Sequence, residues 1–381
     1  MIPYNRQKIF KEDTKEVIKS LKNNLITTGP YTKKFEDQIK KKLKVKYASV
    51  CSSGTAAIDL AVKSIGSKKS DIFILPIINF ICTSNILENL GAKVYYADVD
   101  SVTGQMTPNT LMECIKRNKL KKIKAFFTMY LGGQANDVVK FNEIKKRFRC
   151  YLIEDACHAL GAKYINSKKI YNIGSCKHSD ICTFSLHPVK TITSGEGGII
   201  TTNNKKIKIK VDLLRSHGIV RKKNHWNYDI KFPGYNYRLS DINCALGFSQ
   251  FKKIKKILNE RKNIYLFYKK LMINDKRVII NNISNNSAFH LLIGRINFKN
   301  YKVNKQKILN FFLNNNIYLQ QHYIPIYNFS YYKKKINPKP FVGARNYFEN
   351  SFSLPIFLGI KKKDIIFICN KLKQFANKNL L

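Results

Sequence analysis

Between residues 71 and 202 short apolar runs alternate with helical patterns, and that rhythm restricts the chain to folds built from βαβ units. Ile72 to Leu75 reads as a strand, a helix follows near Phe80 to Leu90 and stops at Gly91, and Lys93 to Ala97 reads as the next strand. Thr107 before Pro108 predicts an N-cap and a first helical residue, ahead of the apolar run Ile123 to Met129. Asp137 is expected to cap the helix that carries Phe141, Ile144 and Phe148. The run Tyr151 to Ile153 ends on two carboxylates, Glu154 and Asp155, and strands at Ile181 to Leu186 and Gly198 to Thr202 bracket a polar, glycine-rich turn. The expectation is an α/β protein whose large domain holds a mostly parallel sheet, with ligands bound beyond the carboxyl ends of the strands.

A long helical stretch from Ser240 toward Met272 leads into a different pattern: a strand near His290 to Phe298, a helix near Asn304 to Leu313 and a last helix near Lys363 to Phe375. This predicts residues 1–255 as an N-terminal arm and large domain, and 256–381 as the long helix and a small α+β domain. Asn281 to Asn286 reads as a surface loop. The formal charge of +45 at pH 7 would suit an anionic partner. Its lysines are spread from end to end, however, so no nucleic-acid role is expected. No apolar run nears the roughly 20 residues of a membrane helix, and the N-terminus lacks a signal-peptide core. A cytoplasmic protein without membrane attachment is expected. Nine cysteines without a C-x-x-C pair argue against disulfides, and Cys176, His178 and Cys182 lack the spacing and fourth ligand of a metal site.

Chemistry concentrates around Lys190. The stretch Thr183-Phe-Ser-Leu-His-Pro-Val-Lys190 gives a strand, a kink at Pro188, then a lysine just before Thr193-Ser-Gly-Glu-Gly-Gly198. A lysine held in a dry site loses its charge more easily and can attack an aldehyde. With 69 Lys and Arg in the chain, any single lysine is more often a solvated one, so its companions must decide. Ser52-Ser-Gly-Thr-Ala-Ala57 opens a helix, where free N–H groups bind phosphate, although a plain N-cap has the same signature. Asp155 at a strand end could hold a protonated pyridine nitrogen. Phe80 could stack on a flat ring, and His158 could orient Asp155 or cover that ring; a core Phe and a structural His are the alternatives.

Several motifs occur together in one order: Thr28-Gly-Pro30, Ser53-Gly-Thr-Ala-Ala57, Glu154-Asp-Ala-Cys-His-Ala-Leu-Gly161, Ser185-Leu-His-Pro-Val-Lys190, Gly195-Glu-Gly-Gly198, Leu214-Arg-Ser-His-Gly218 and Gly234-Tyr-Asn-Tyr-Arg-Leu239. They resemble, nearly end to end, the sugar aminotransferases of the DegT/DnrJ/StrS family. The resemblance implies a fold-type I PLP-dependent transferase, aspartate aminotransferase-like, with pyridoxal 5'-phosphate (PLP) as cofactor. It assigns Lys190 as Schiff-base lysine and proton shuttle, Asp155 as the pyridine-nitrogen partner, and Phe80 and His158 to the two ring faces. Gly54, Thr55 and Ser185 would bind the phosphate, and Asn236 would reach the phosphate of a neighbouring protomer, which implies a homodimer with shared active sites. Asn79 and Leu186 depart from the residues usual in the family.

Four features narrow the resemblance to members that aminate a UDP-linked 4-keto-6-deoxy N-acetyl hexose in pseudaminic acid biosynthesis, with L-glutamate as donor. They are Ile2-Pro-Tyr4, Tyr130, the block Ile173 to Asp180 with the lysine motif, and Gln321-His-Tyr-Ile-Pro-Ile-Tyr327. On that reading Tyr4, Asn24, Leu25, Ile26, Thr27, His322, Tyr323, Ile324 and Pro325 line the sugar-nucleotide pocket; packing of the lobes is their bland alternative. Competing readings are another nucleotide-linked ketosugar (perosamine, 4-amino-4-deoxyarabinose or bacillosamine type), an amino-acid aminotransferase, and a PLP-fold regulatory or nucleic-acid-binding protein. The small lobe's Arg277, Arg295 and Arg345 form no carboxylate-clamp motif, and a regulator could dispense with Lys190 and Asp155.

Overall fold

A computed structural model describes residues 1–224 and 226–379. The strands are β1 (Tyr47–Cys51), β2 (Ile72–Pro76), β3 (Lys93–Ala97), β4 (Ala125–Met129), β5 (Tyr151–Asp155), the hairpin β6 (Lys163–Asn166) and β7 (Lys169–Asn172), β8 (Ile181–Ser185) and β9 (Gly198–Thr202). A second hairpin, β10 (Ile219–Arg221) and β11 (Tyr228–Ile230), precedes β12 (Ile279–Ile280), β13 (Leu292–Arg295) and β14 (Ser351–Leu354). Seven strands form the main sheet in the order β1-β9-β8-β5-β4-β2-β3. From β3 to β8 the pairing is parallel, but β9 runs antiparallel to both β8 and β1. The sheet is thus mixed at one end, for a physical reason: Leu186 to Gly197 contains no helix to carry the chain back across the sheet.

Alternation along each strand sends side chains into separate cores. Phe73, Leu75, Phe127 and Ile153 pack with the helix Gly54–Ser64, whereas Ile74, Phe126 and Leu152 pack with the helices Pro108–Arg117 and Val138–Phe148. Thr107 caps its helix as expected, its Oγ1 accepting the Thr110 amide at 3.2 Å. Asp137 does not: it sits at the cap position with φ 54°, and its carboxylate pairs with Lys140 at 3.3 Å instead. The helix expected from Phe80 begins at Cys82, leaving Phe80 in the turn after β2.

The helix expected from Ser240 to Met272 is two, Asp241–Lys252 and Ile254–Met272, broken at Lys253 with no glycine or proline to mark the place. There the Lys253 ammonium meets the fully buried carboxylate of Asp13 at 2.8 Å. The second helix spans two cores. Ile254 and Ile257 pack with the large sheet's outer helices, while Ile264, Tyr265, Tyr268 and Met272 pack with the antiparallel sheet β12-β13-β14 and the helices Lys305–Asn314 and Lys362–Asn379. Arg261, buried on this helix, donates to the carbonyls of Phe289 (2.9 Å), His290 (2.7 Å) and Ile356 (3.1 Å). Those acceptors make a buried guanidinium tolerable, although burial pushes its pKa down to about 10. The loop 281–286 is exposed or half-buried as expected except at Asn281, which is buried because Val102 and Arg295 take both ends of its amide. The N-terminal arm joins the parts: Tyr4 O accepts the Ile356 amide at 3.0 Å, and Asn5 Nδ2 donates to Val189 O at 2.8 Å. No helix among the described residues is long and apolar enough to cross a membrane.

Candidate active site

Cys51, Pro76, Met129, Asp155 and Ser185 close their strands at one edge of the main sheet, since Gly198 at the start of the reversed strand pairs with both Cys51 and Ser185. A cavity of about 600 Å³ opens at that edge. Gly54, Thr55, Phe80, Asp155, His158, Ser185 and Lys190 line it, as do Tyr4, His322 and Tyr323.

Ser53 caps the helix Gly54–Ser64, its Oγ accepting from the Ala56 amide at 3.0 Å, so the plain N-cap reading is also correct. The amides of Gly54 and Thr55 lie in the first turn, where no helical carbonyl reaches them. A Cβ at Gly54 would lie 2.7 Å from Ser185 Cβ. Only glycine lets the helix start come this close to the end of β8, and the result is a concave group of N–H and hydroxyl donors that suits a phosphate.

Asp155 is buried, with Oδ1 accepting the Cys157 amide at 3.1 Å. Burial raises its pKa, with the Cys157 hydrogen bonds and the Lys190 charge opposing. For Lys190 burial acts the other way and lowers the pKa, with Asp155 among the groups that oppose it. An amine so placed reaches its neutral, nucleophilic form below the usual lysine range. Its loop is pinned at the base, where the Leu186 amide donates to Gly197 O at 2.8 Å and Thr193 Oγ1 to Leu186 O at 3.0 Å. Glu154, the other strand-end carboxylate, turns away from the cavity to Tyr130 (2.6 Å) and Ser179 (2.9 Å).

His158 is gripped from several sides. The Gly132 amide points at its Nδ1 (3.4 Å), Tyr323 Oη lies 2.9 Å from Nε2, and the His290 ring centre is 4.3 Å away. A nitrogen that accepts from an amide carries no proton, so we assign the ring proton to Nε2, donated to Tyr323. Burial, ahead of the Lys190 charge, holds His158 and His290 well below the usual histidine pKa and lowers His322 to about 3. All three imidazoles are neutral at pH 7. Phe80 is half exposed, its ring centre 5.8 Å from that of Tyr323, and Tyr4 lies 5.6 Å from His322.

The remaining expected residues do not meet in this cavity. Asn24, Leu25, Ile26 and Thr27 form an exposed stretch, Asn236 is exposed beside the β10–β11 hairpin, and Ile324 and Pro325 lie outside the lining. His290, Gln321, Cys82 and Cys157 line the cavity without having been singled out in the sequence. A histidine just ahead of an apolar strand was the available signal for His290.

The phosphate cradle, buried carboxylate, depressed lysine and flanking rings fit PLP, and the fold and site define a PLP-dependent aminotransferase of fold type I. Residues 7–373 match the DegT/DnrJ/EryC1/StrS aminotransferase family, to which the chain belongs. It is 34% identical to a UDP-4-amino-4,6-dideoxy-N-acetyl-beta-L-altrosamine transaminase of Campylobacter jejuni, covering 99% of this chain and 98% of that one. It is 28% identical to the GDP-perosamine synthase of Vibrio cholerae over 92% of each chain. Among solved structures, Helicobacter pylori PseC, an aminotransferase involved in the biosynthesis of pseudoaminic acid, superposes with a TM-score of 0.91 at 27% identity over 99% of both chains.

Proposed function

We propose that the enzyme transfers the amino group of L-glutamate to the ketone of a UDP-linked 4-keto-6-deoxy N-acetyl hexose, in pseudaminic acid biosynthesis. The observation that carries this is end-to-end similarity to a transaminase of that amino sugar, joined to a cavity that holds Lys190, Asp155 and the neutral histidines. PLP, when bound, supplies an aldehyde carbon and a ring that takes up electrons from the substrate carbon. Gly54, Thr55 and Ser185 would hold its phosphate, Asp155 would keep the ring nitrogen protonated, and Phe80 and His158 would flank the ring. Lys190, whose neutral amine burial favours, would hold the aldehyde carbon and, once displaced by the incoming amine of the substrate, would be the base that moves a proton there. Tyr4, His322 and Tyr323 contact the sugar.

Asn236 and residues 24–27 lie exposed and outside their own chain's cavity, which supports a homodimer in which each protomer completes the other's site. We place the enzyme in the cytoplasm, and the domain boundary near residue 255, where the helix Ile254–Met272 passes from one core to the other. Product analysis after incubation with glutamate and a panel of 4-ketosugar nucleotides tests the reading. Amination of the UDP-linked N-acetyl sugar above all others supports it; preference for a GDP-linked 4-keto-6-deoxymannose would shift the assignment to a perosamine-type enzyme.

A further inference from the structure

Tyr130 and the block Ile173 to Asp180 stand out in the sequence, yet neither Tyr130 nor Ser179 lines the cavity. They meet instead on Glu154, which β5 sends to the opposite face of the sheet from Asp155. Tyr130 Oη donates to one carboxylate oxygen at 2.6 Å and Ser179 Oγ to the other at 2.9 Å, and all three residues are buried. A carboxylate taken out of water needs such donors. The two differ in what they carry. Ser179 lies in the connection between β7 and β8, whereas Tyr130 opens the turn Leu131–Gly133 that follows β4. The Tyr130 amide donates to Asp155 O at 3.2 Å and its carbonyl accepts the Gly133 amide at 2.9 Å, so this one residue is fastened to β5 by backbone and side chain together.

The turn in turn holds two imidazoles. Its Gly132 amide points at His158 Nδ1 (3.4 Å), and the Gly132 carbonyl accepts the amides of His290 (3.0 Å) and Leu291 (3.2 Å). The Gly133 carbonyl accepts the Ala288 amide at 2.9 Å. It is also pressed against the His158 backbone: a Cβ at Gly133, whose φ is 95°, would lie 2.6 Å from His158 O. A shift of the turn therefore displaces the donor that sets the His158 tautomer. It displaces as well the backbone of His290, whose ring packs on His158 at 4.3 Å between centres.

We propose that Tyr130, tied to Glu154, is a positioning residue for the cofactor: it holds the Leu131–Gly133 turn, and the turn fixes His158, with His290 packed on it, against the PLP ring. This rests on the reading above that sets His158 at a face of that ring. Tyr130 does not line the cavity and acts through His158. Ser179 secures the same carboxylate but carries no part of the turn.

The test is visible circular dichroism of the PLP-loaded enzyme, with bound PLP counted by absorbance and a thermal melt alongside. PLP is achiral, so its visible signal reports how the protein seats the ring. Tyr130→Phe, which loses only a hydroxyl, should lower the signal per bound PLP. Ser179→Ala removes the other hydrogen bond from the same carboxylate; it should lower the melting temperature and leave the signal at the wild-type level. Should Tyr130→Phe fail to fold because Glu154 is left short of a donor, Tyr130→Phe combined with Glu154→Leu makes both partners apolar, which costs far less, and should show the same loss of signal. A wild-type signal in whichever Tyr130 variant folds overturns the inference. So does an equal loss in Ser179→Ala, which would make the effect one of general stability. His158→Gln separates this inference from the reading beneath it and should lower the signal at least as far as Tyr130→Phe. A His158→Gln signal equal to wild type is a different result: it takes His158 away from the ring, and this inference with it.

Discussion

Replacing Gly54 with alanine would set a methyl carbon 2.7 Å from Ser185 Cβ and 3.1 Å from its Oγ. Ordinary contact begins near 3.4 Å, so the helix start and the end of β8 must part by about 0.7 Å, the difference between 3.4 and 2.7. Hydrogen bonds of about 2.9 Å stretched by that much pass out of the bonding range. Losing one charge-assisted bond to a phosphate, at roughly 1.5–3 kcal/mol, lowers affinity about ten- to a hundredfold. Helix propensity works in the opposite direction, since alanine is favoured over glycine by about 1 kcal/mol in a helix. The cofactor-free protein should therefore melt within a few degrees of wild type. Titrating cofactor-free protein with PLP by absorbance, alongside a thermal melt, separates binding from folding. A folded Gly54→Ala that takes up PLP with wild-type affinity would refute the phosphate cradle.

Three further outcomes are expected. Tyr323→Phe removes the partner of His158 Nε2, a loss of about 0.5–1.5 kcal/mol, and should shift the absorbance of bound PLP; superimposable spectra would deny the Tyr323–His158 coupling. Burial lowers Lys305 from 10.5 to about 8, so the folded state sheds this proton first. The penalty is then full below about pH 8 and fades toward 10.5, and Lys305→Met should raise the melting temperature more at pH 7 than at pH 10. An equal shift at both would mean Lys305 is not strained by burial. In mixtures of Lys190→Ala and Asn236→Ala proteins, hybrid dimers hold one site with both residues intact, so activity should exceed the mean of the two variants measured separately. Activity equal to that mean would place Asn236 outside the partner's site.

The positions of β2, β3, β4, β5, β8 and β9 were legible because each apolar run is short and is bounded by polar, glycine or proline residues, whereas β1 and the hairpins β6–β7 and β10–β11 were not anticipated. Strand direction was not legible, since a period of two is the same in either sense; β9 runs backward because of what the preceding loop lacks. The break at Lys253 carries no local signal and depends on Asp13, which is 240 residues distant in sequence. For the site, residues within motifs were readable: Gly54, Asp155, His158, Ser185 and Lys190 all reach one sheet edge, as the order of strands required. What escaped was tertiary. The grip of Tyr323 and His290 on His158, and the hold of Lys305 on Gln321, join segments whose sequences give no hint of one another. Asn24 to Thr27 and Asn236 lie exposed and outside the cavity, and their roles rest on the proposed homodimer.

The most direct measurement is the visible absorbance spectrum of wild type and Lys190→Ala with PLP, before and after L-glutamate. Transamination through Lys190 predicts a band distinct from free PLP in the wild type, lost on adding glutamate, and no such glutamate-sensitive band in Lys190→Ala. A wild type without that band, or with one that glutamate leaves unchanged, would contradict the assignment of Lys190 and the first half of the reaction.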